Sequence, residues 1–370
     1  MKKFAKLLII SIMILASVLS FAACGGNSDK SSEAGIICKK LTGDDFYTVI
    51  GYNAEENVTE INVSDKAKAK YGDTVVIGRI RKGAFDGNTT LKAVIVTDET
   101  ENGTLTIDEG AFKNMRALEK ITLPFVGASR ISDADINETE PAMGDAVKAT
   151  DKERSFGYIF GEEENAASSK ITFTYGDKSD MTADFYIPVA LTEIEIKAYK
   201  EINIPMYAFC GLTRVETVTL SGKINAIGRS AFKNMDKLSK VNISDDVAFT
   251  SIKNDAFSGC VKLKDITLPN SLKSIGEGAF KNTRLASFDI SGTQVTTIGD
   301  YAFAGNNNLS TVKFGTSVKT IGTYLFADCD ALTELTYTGT MAQCGEIVGV
   351  NWNECSEIAH IVCSDGTIDL

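Results

Sequence analysis

The sequence predicts a solenoid of stacked coils about 23 residues long, β-rich, each coil bringing a short strand to one shared core. Three observations predict it. Eight times an isoleucine is followed five residues later by a phenylalanine: Ile80/Phe85, Ile107/Phe112, Ile204/Phe209, Ile227/Phe232, Ile252/Phe257, Ile275/Phe280, Ile298/Phe303 and Ile321/Phe326. From Phe257 onward the phenylalanines recur every 23 residues. After each comes Leu (Val215 in one copy), then two apolar residues two apart, as in Leu263, Ile266 and Leu268, or Leu309, Val312 and Phe314. Apolar residues two apart are strand spacing with both side chains on one face.

Along the chain, Met1 to Lys6 is basic and Leu7 to Phe21 is apolar but too short for a comfortable membrane span. The segment 1–23 fits a secretory signal, and 21-FAACGG resembles a bacterial lipobox, with Phe21 standing where leucine is usual. That resemblance implies export, with Cys24 lipidated and the protein anchored in the cell envelope and exposed at the surface. Residues 24–36 are small and polar, a flexible tether. Residues 37–79, with the alternating 46-FYTVIGYN, are expected to cap the open end of the core.

Residues 80–337 carry the repeats. Two longer spacings, Phe85 to Phe112 and Phe232 to Phe257, place their extra residues between strand and next isoleucine, in 97-TDETENGTLT and 244-SDDVAFTS. Loops absorb insertions and cores do not. A small residue precedes seven of the phenylalanines, marking a tight corner, and Leu325 takes that place in the last copy. Gly228, Gly276, Gly299 and Gly322 follow their isoleucines, where positive φ is expected. An irregular insert occupies about 125–184. Phe185, Leu191, Ile194 and Ile196 keep the repeat spacing and read as a degenerate ninth copy. Phe160 is a candidate tenth, whose following Ile171 to Phe173 is out of register. Residues 338–370 break the repeat and form a closing cap.

The phrases 266-ITLPNSLKSIGEGAF and 256-AFSGCVKLKDITLP resemble the BspA-like, or treponemal-type, leucine-rich repeat family, over roughly 46–363. The segments 156-FGYIFG and 185-FYIPVALTEIEI resemble a cassette common in such proteins, and Cys344 stands where a tryptophan is common. The resemblance implies coils with a short parallel strand, a second extended segment and a brief helical turn at the Ala-Phe corner. It also implies a surface protein, since the family includes adhesins.

Formal net charge is −11, with pI near 4.9. No basic stripe is present, which argues against nucleic acid as a partner. It also argues against electrostatic docking to anionic lipid, leaving the N-terminal lipid as the membrane contact. Of the eight cysteines, Cys260 and Cys329 sit where Met115 and Met235 stand in other copies, an apolar buried place. They are three coils apart, about 14 Å at strand spacing, too far to bridge. Cys210 lies in a comparable corner, while Cys344, Cys355 and Cys363 crowd the last cap, where one disulfide is open. His360 is the single histidine, so a His-based triad or multi-His zinc site has no residues to build it. No nucleophile elbow, zincin, phosphate loop or calcium-loop motif is present. No cofactor, metal or catalytic residue is assigned, and the chain reads as not an enzyme. Paired carboxylates at Asp44/Asp45, Glu162/Glu163/Glu164 and Asp245/Asp246 read as solvated loops, with a weak calcium site at the Glu162 cluster as an alternative.

The exposed row of the strands is the candidate ligand-binding face: Thr219, Asn242, Thr267, Asp289 and Lys313. It is rich in hydroxyl and charge without an aromatic platform, which favours a protein or glycopeptide over stacked sugar. Threonine is also simply favoured on strands. The expected function is binding or adhesion to a host or microbial surface protein or glycan. The alternatives are an envelope scaffold or spacer, and a carbohydrate-active enzyme with carboxylates in the insert.

Overall fold

Each coil runs through three segments: an entry strand ending at the isoleucine, a corner at the phenylalanine, and an exit strand. In a computed structural model of the chain, residues 33–130, 152–174, 182–347, 349, 351–354 and 356–370 are described. Ala34–Leu370 forms one compact unit. All eight isoleucine–phenylalanine pairs are buried.

The entry ladder begins with Tyr47–Asn53, Ile77–Ile80 and Thr106–Ile107, paired in parallel. It resumes in the later halves of Glu193–Ile204 and Thr217–Ile227, then in Ser251–Ile252, Ser274–Ile275, Thr297–Ile298 and Thr320–Ile321. The exit ladder joins Glu60–Asn62, Ala93–Ile95, Lys120–Leu123, the first halves of the two long strands, and Lys240–Ile243. A second exit series joins Ser287–Asp289, Thr311–Phe314, Glu334–Tyr337 and His360–Cys363. Both ends are closed by an antiparallel strand. Gly35–Lys40, which starts inside the stretch read as tether, pairs with Tyr47–Asn53, and Gly366–Asp369 pairs with His360–Cys363. Such closing strands shield edges that would otherwise template pairing with another chain.

The corners bond to one another like a third ladder. The amides of Asp255, Phe257 and Gly259 donate to the carbonyls of Glu277, Ala279 and Lys281 at 2.7, 2.8 and 2.8 Å. Neighbouring phenylalanine rings stack along this side. From Phe232 to Phe257, Phe280 and Phe303 the centroids are 4.8, 5.3 and 5.7 Å apart and the planes 2°, 2° and 0° off parallel. Tyr52 extends the stack at its start, and the Trp352 edge meets Phe326 at its end. The corner is a pair of i→i+3 turns, as at Ala256 to Lys253 and Ser258 to Asp255. A helical stretch proper occurs among the described corners at Phe156–Phe160, a 3₁₀ helix.

Two expectations about the repeat are corrected here. Positive φ does not fall on Gly228, Gly276, Gly299 and Gly322. It falls two residues before and two after each phenylalanine, at Asp255 (56°) and Gly259 (76°), or Tyr301 (53°) and Gly305 (75°). The glycines after isoleucine answer to close approach instead. A Cβ at Gly299 would lie 2.4 Å from the Glu277 amide nitrogen of the preceding coil. The second correction is Phe185. It lies on the hairpin strand Thr182–Pro188, antiparallel to Ser168–Thr174, in a satellite cluster with Phe173, Ala183, Met206 and Tyr207. Phe160 holds the corner: the Phe112 amide donates to Ile159 as other corner phenylalanines donate to alanine. Leu191, Ile194 and Ile196 do supply the exit strand, in register with Ile121 and Leu123. The hairpin is therefore inserted inside one coil, between its corner and its exit strand.

Candidate binding face

Outward positions of the exit ladder form one row, because each strand pairs in register with the next. Thr122 faces Glu195, Glu195 faces Thr219, and Thr219 faces Asn242. In the second series Asp289 faces Lys313, and Lys313 faces Thr336. The first stretch is hydrogen-bonded across coils: the Thr122 hydroxyl lies 3.1 Å from Glu195 Oε2, and the Asn242 amide donates to Thr219 Oγ1 at 3.2 Å. Glu193 and Glu195 were missing from the row read in the sequence. Their places beside Ile194 and Ile196 carry the same spacing signal as the other copies.

Between Lys240–Ile243 and Ser287–Asp289 the row opens. Ile266 and Leu268 keep the motif, yet they are half-buried and lie in no strand, which corrects the strand expected there. Strand Lys240–Ile243 pairs with Thr217–Ile227 on one side and with no other strand among the described residues. The intervening segment leans the other way: the Arg284 and Ala286 amides donate to Leu263 and Lys264, each at 3.0 Å. The opening holds a cavity of about 470 Å³, lined by Ile243, Asp245, Val247, Thr267, Leu268 and Pro269 among others. The adjoining coil differs from the later ones. Phe249 is fully buried three residues before its isoleucine, where later coils carry Leu272, Val295 and Val318. That coil also carries two extra residues, so the larger ring and the longer loop both occur beside the opening.

The five predicted face residues thus fall into a bonded pair, Thr219 and Asn242, a facing pair, Asp289 and Lys313, and Thr267 on the rim of the cavity. Asp289 is exposed. Partial burial raises its pKa, but the Ser291 hydrogen bonds and then Lys313 outweigh it and hold the carboxyl below its ordinary value. The Ser291 amide donates to Asp289 Oδ1 at 2.8 Å. Cys24 lies outside the described residues.

The acidic loops are placed as follows. Glu162 pairs with Lys152 at 2.9 Å, and Glu163 with Lys113 at 2.8 Å, which also draws the Glu163 carboxyl below its ordinary pKa. Asp246 accepts the Gly222 amide at 3.1 Å. Among the described residues no group of three potential ligands gathers for a metal ion. His360 Nδ1 is 2.8 Å from Asp369 Oδ1 on the exposed final hairpin. Cys260 and Cys329 are buried thiols that donate to the Phe232 and Phe303 carbonyls at 3.0 and 3.1 Å, and burial pushes each up to about 12. No helix among the described residues is long and apolar enough to cross a membrane.

A model of the BspA type leucine rich repeat region matches residues 73–134, 180–293 and 248–356 in six copies, more than half of the chain. No curated protein sequence matches. Among solved structures, the leucine rich repeat protein of T. pallidum is 28% identical over 40% of this chain, with TM-score 0.33, and this chain covers 63% of its length. A leucine-rich repeat protein from Bacteroides ovatus is 20% identical, covering 90% of this chain and 76% of that one, with TM-score 0.41. A leucine rich cell surface protein from Faecalibacterium prausnitzii is 17% identical, covering 86% and 97%, with TM-score 0.31. With its recurring corners, its two ladders and six matched copies, the chain belongs to the BspA-type leucine-rich repeat family.

Proposed function

We propose that this protein is a lipid-anchored binding protein of the bacterial cell surface, which takes a protein or glycan partner on its exit face around the opening at Thr267. The observation that carries this reading is the break in the exit ladder. Among the described residues, an otherwise regular grid of polar side chains is interrupted along the exit ladder by a cavity of about 470 Å³ lined by both apolar and polar side chains. That size falls within the range of ligand sites, and such a mixture of apolar and polar lining suits specific recognition. The rigid rows on either side are already ordered, so docking costs less entropy. No aromatic ring lines the cavity, which favours a polypeptide segment over stacked sugar.

The anchor in this reading is Cys24, held at the membrane by its acyl chains, because the acidic domain is repelled by anionic lipid. Cys24→Ala then shifts the full-length protein from the detergent to the aqueous phase on extraction. A variant as membrane-bound as its parent contradicts the anchor. For the site, the immobilised protein is offered extracellular-matrix proteins and envelope glycans, and binding of the captured molecule is compared between two variants. One carries lysine at Asn242, Thr267 and Asp289 together. The other lacks loop residues 162–166 beside the hairpin. The exit-face reading expects the lysine variant to lose binding and the loop variant to keep it. The reverse pattern would place the site on the inserted hairpin instead.

A further inference from the structure

The last cap carries a second feature, separate from the binding face. A short helix, Met341–Cys344, is set by a capping box in which the Thr340 side chain accepts from the Gln343 amide. It is tied to the turn between the two final strands. The Met341 amide donates to Asp365 Oδ1 at 2.7 Å, and the Ser364 amide donates to the Gly339 carbonyl at 2.8 Å. These two bonds bring the last residue of the helix, Cys344, to the last residue of strand His360–Cys363. The strand register, with Leu335 opposite Ile361 and Thr336 opposite Val362, sets Cys363 beside Tyr337, and Cys344 lines the same end cavity as Tyr337. Both are free thiols here, Cys363 buried and Cys344 half-buried.

We propose that Cys344 and Cys363 are a disulfide-forming pair that is oxidised by a disulfide donor and staples the closing cap. Two thiols that flank the same buried tyrosine, on elements tied together by hydrogen bonds, form the bond without a large movement of the backbone, which is the usual obstacle. The chemistry balances as two exchanges. One cysteine, as thiolate, attacks the donor's disulfide and displaces the first donor thiol, leaving a mixed disulfide on this chain. The second cysteine, also as thiolate, attacks that sulfur, forms Cys344–Cys363 and displaces the second donor thiol. The donor gains two electrons and the two protons, and this chain loses them. Burial, and then the neighbouring Cys363, push the Cys344 thiol up to about 11. Few thiolates are present there at neutral pH, so oxidation is slow unless the donor is strong.

The bond would close the segment 344–363. That segment carries Trp352, whose edge covers Phe326 at the end of the ring stack, and whose carbonyl accepts the Leu325 amide at 2.9 Å. It also borders a cavity of about 200 Å³ lined by Phe314, Ile321, Tyr337, Trp352 and Ile361, which a loosened cap would expose. The staple therefore protects the core beside the final hairpin.

The test maps disulfides in the full-length protein, extracted in detergent and equilibrated with glutathione disulfide, by mass spectrometry of a non-reduced digest. The expected product is a peptide pair linked through Cys344 and Cys363, two mass units below the reduced pair. The melting midpoint of the oxidised protein should exceed that of the reduced one by several degrees. Cys363→Ser should abolish that difference. Free thiols at both positions after oxidation, a link from either one to Cys355, or a link between two molecules would each overturn the assignment. The mapping uses the unaltered chain, so it stands even where the serine variant fails to fold.

Discussion

The corner side and the exit side of the same coils behave differently. From Phe232 to Phe326 the corners repeat with rings nearly parallel and amides bonded coil to coil at 2.7 to 3.1 Å. Over the same coils the exit ladder breaks between Lys240–Ile243 and Ser287–Asp289. One side is therefore the spine that fixes the stack. The other tolerates local variation without unstacking the coils, and that freedom is what a recognition surface needs.

The largest effect tests the spine. Phe280 stacks on Phe257 and Phe303 and also meets Phe288 at 5.3 Å. Phe280→Ala should cost about 3–5 kcal/mol, from lost transfer energy and the cavity left behind. Denaturant titration measures it, and a loss under ~1 kcal/mol would show that the stack does not hold the coils. A smaller effect tests the entry ladder. At Gly299 a Cβ meets backbone of the coil before it, at 2.4 to 2.8 Å, and backbone yields less readily than a side chain. Gly299→Ala should destabilise by about 1–3 kcal/mol, as overpacking does. No loss on titration would mean that the coils approach less closely than described.

The smallest effect has the opposite sign. Ser230 is fully buried at φ 51°, and its hydroxyl has no hydrogen-bond partner among the described residues. Ser230→Gly removes both the left-handed strain and the unsatisfied group, against the added entropy of a glycine in the unfolded chain. A gain of about 1 kcal/mol is expected, read as a rise in melting midpoint. A fall would indicate that the hydroxyl is bonded after all.

The same contrast explains what was legible in the sequence. Corner phenylalanines, isoleucines and the small residue before each ring follow from a repeated steric demand, so they appear as a period. The opening at Thr267 was hidden, because Ile266 and Leu268 match the motif. A pattern within one coil does not register how two coils pair. Phe185 misled for a related reason. Its spacing to Leu191, Ile194 and Ile196 is that of a repeat, but its ring packs from outside onto Gly157, where a Cβ would come within 2.5 Å of it. The left-handed corners were misplaced onto the glycines after isoleucine: they fall on glycine at Gly83 and Gly110, but on Tyr301 and Tyr324, with rings stacked 5.2 Å apart, at positions that favour glycine. The Cys344–Cys363 pair was half visible, as a crowd of three cysteines without a pairing.

Hydrogen exchange of backbone amides compares the two sides in one protein and needs no ligand. The amides of Phe232, Phe257 and Phe280, bonded to the next coil at 2.8 Å each, should exchange slowest. Peptides spanning 264–268 should exchange at least about tenfold faster than peptides spanning 287–289 or 311–314, which lie in paired strands. Equal, high protection across 264–268 and its neighbours would mean that the exit ladder is continuous. The opening would then not exist, and the proposed binding face would lose the feature that sets it apart.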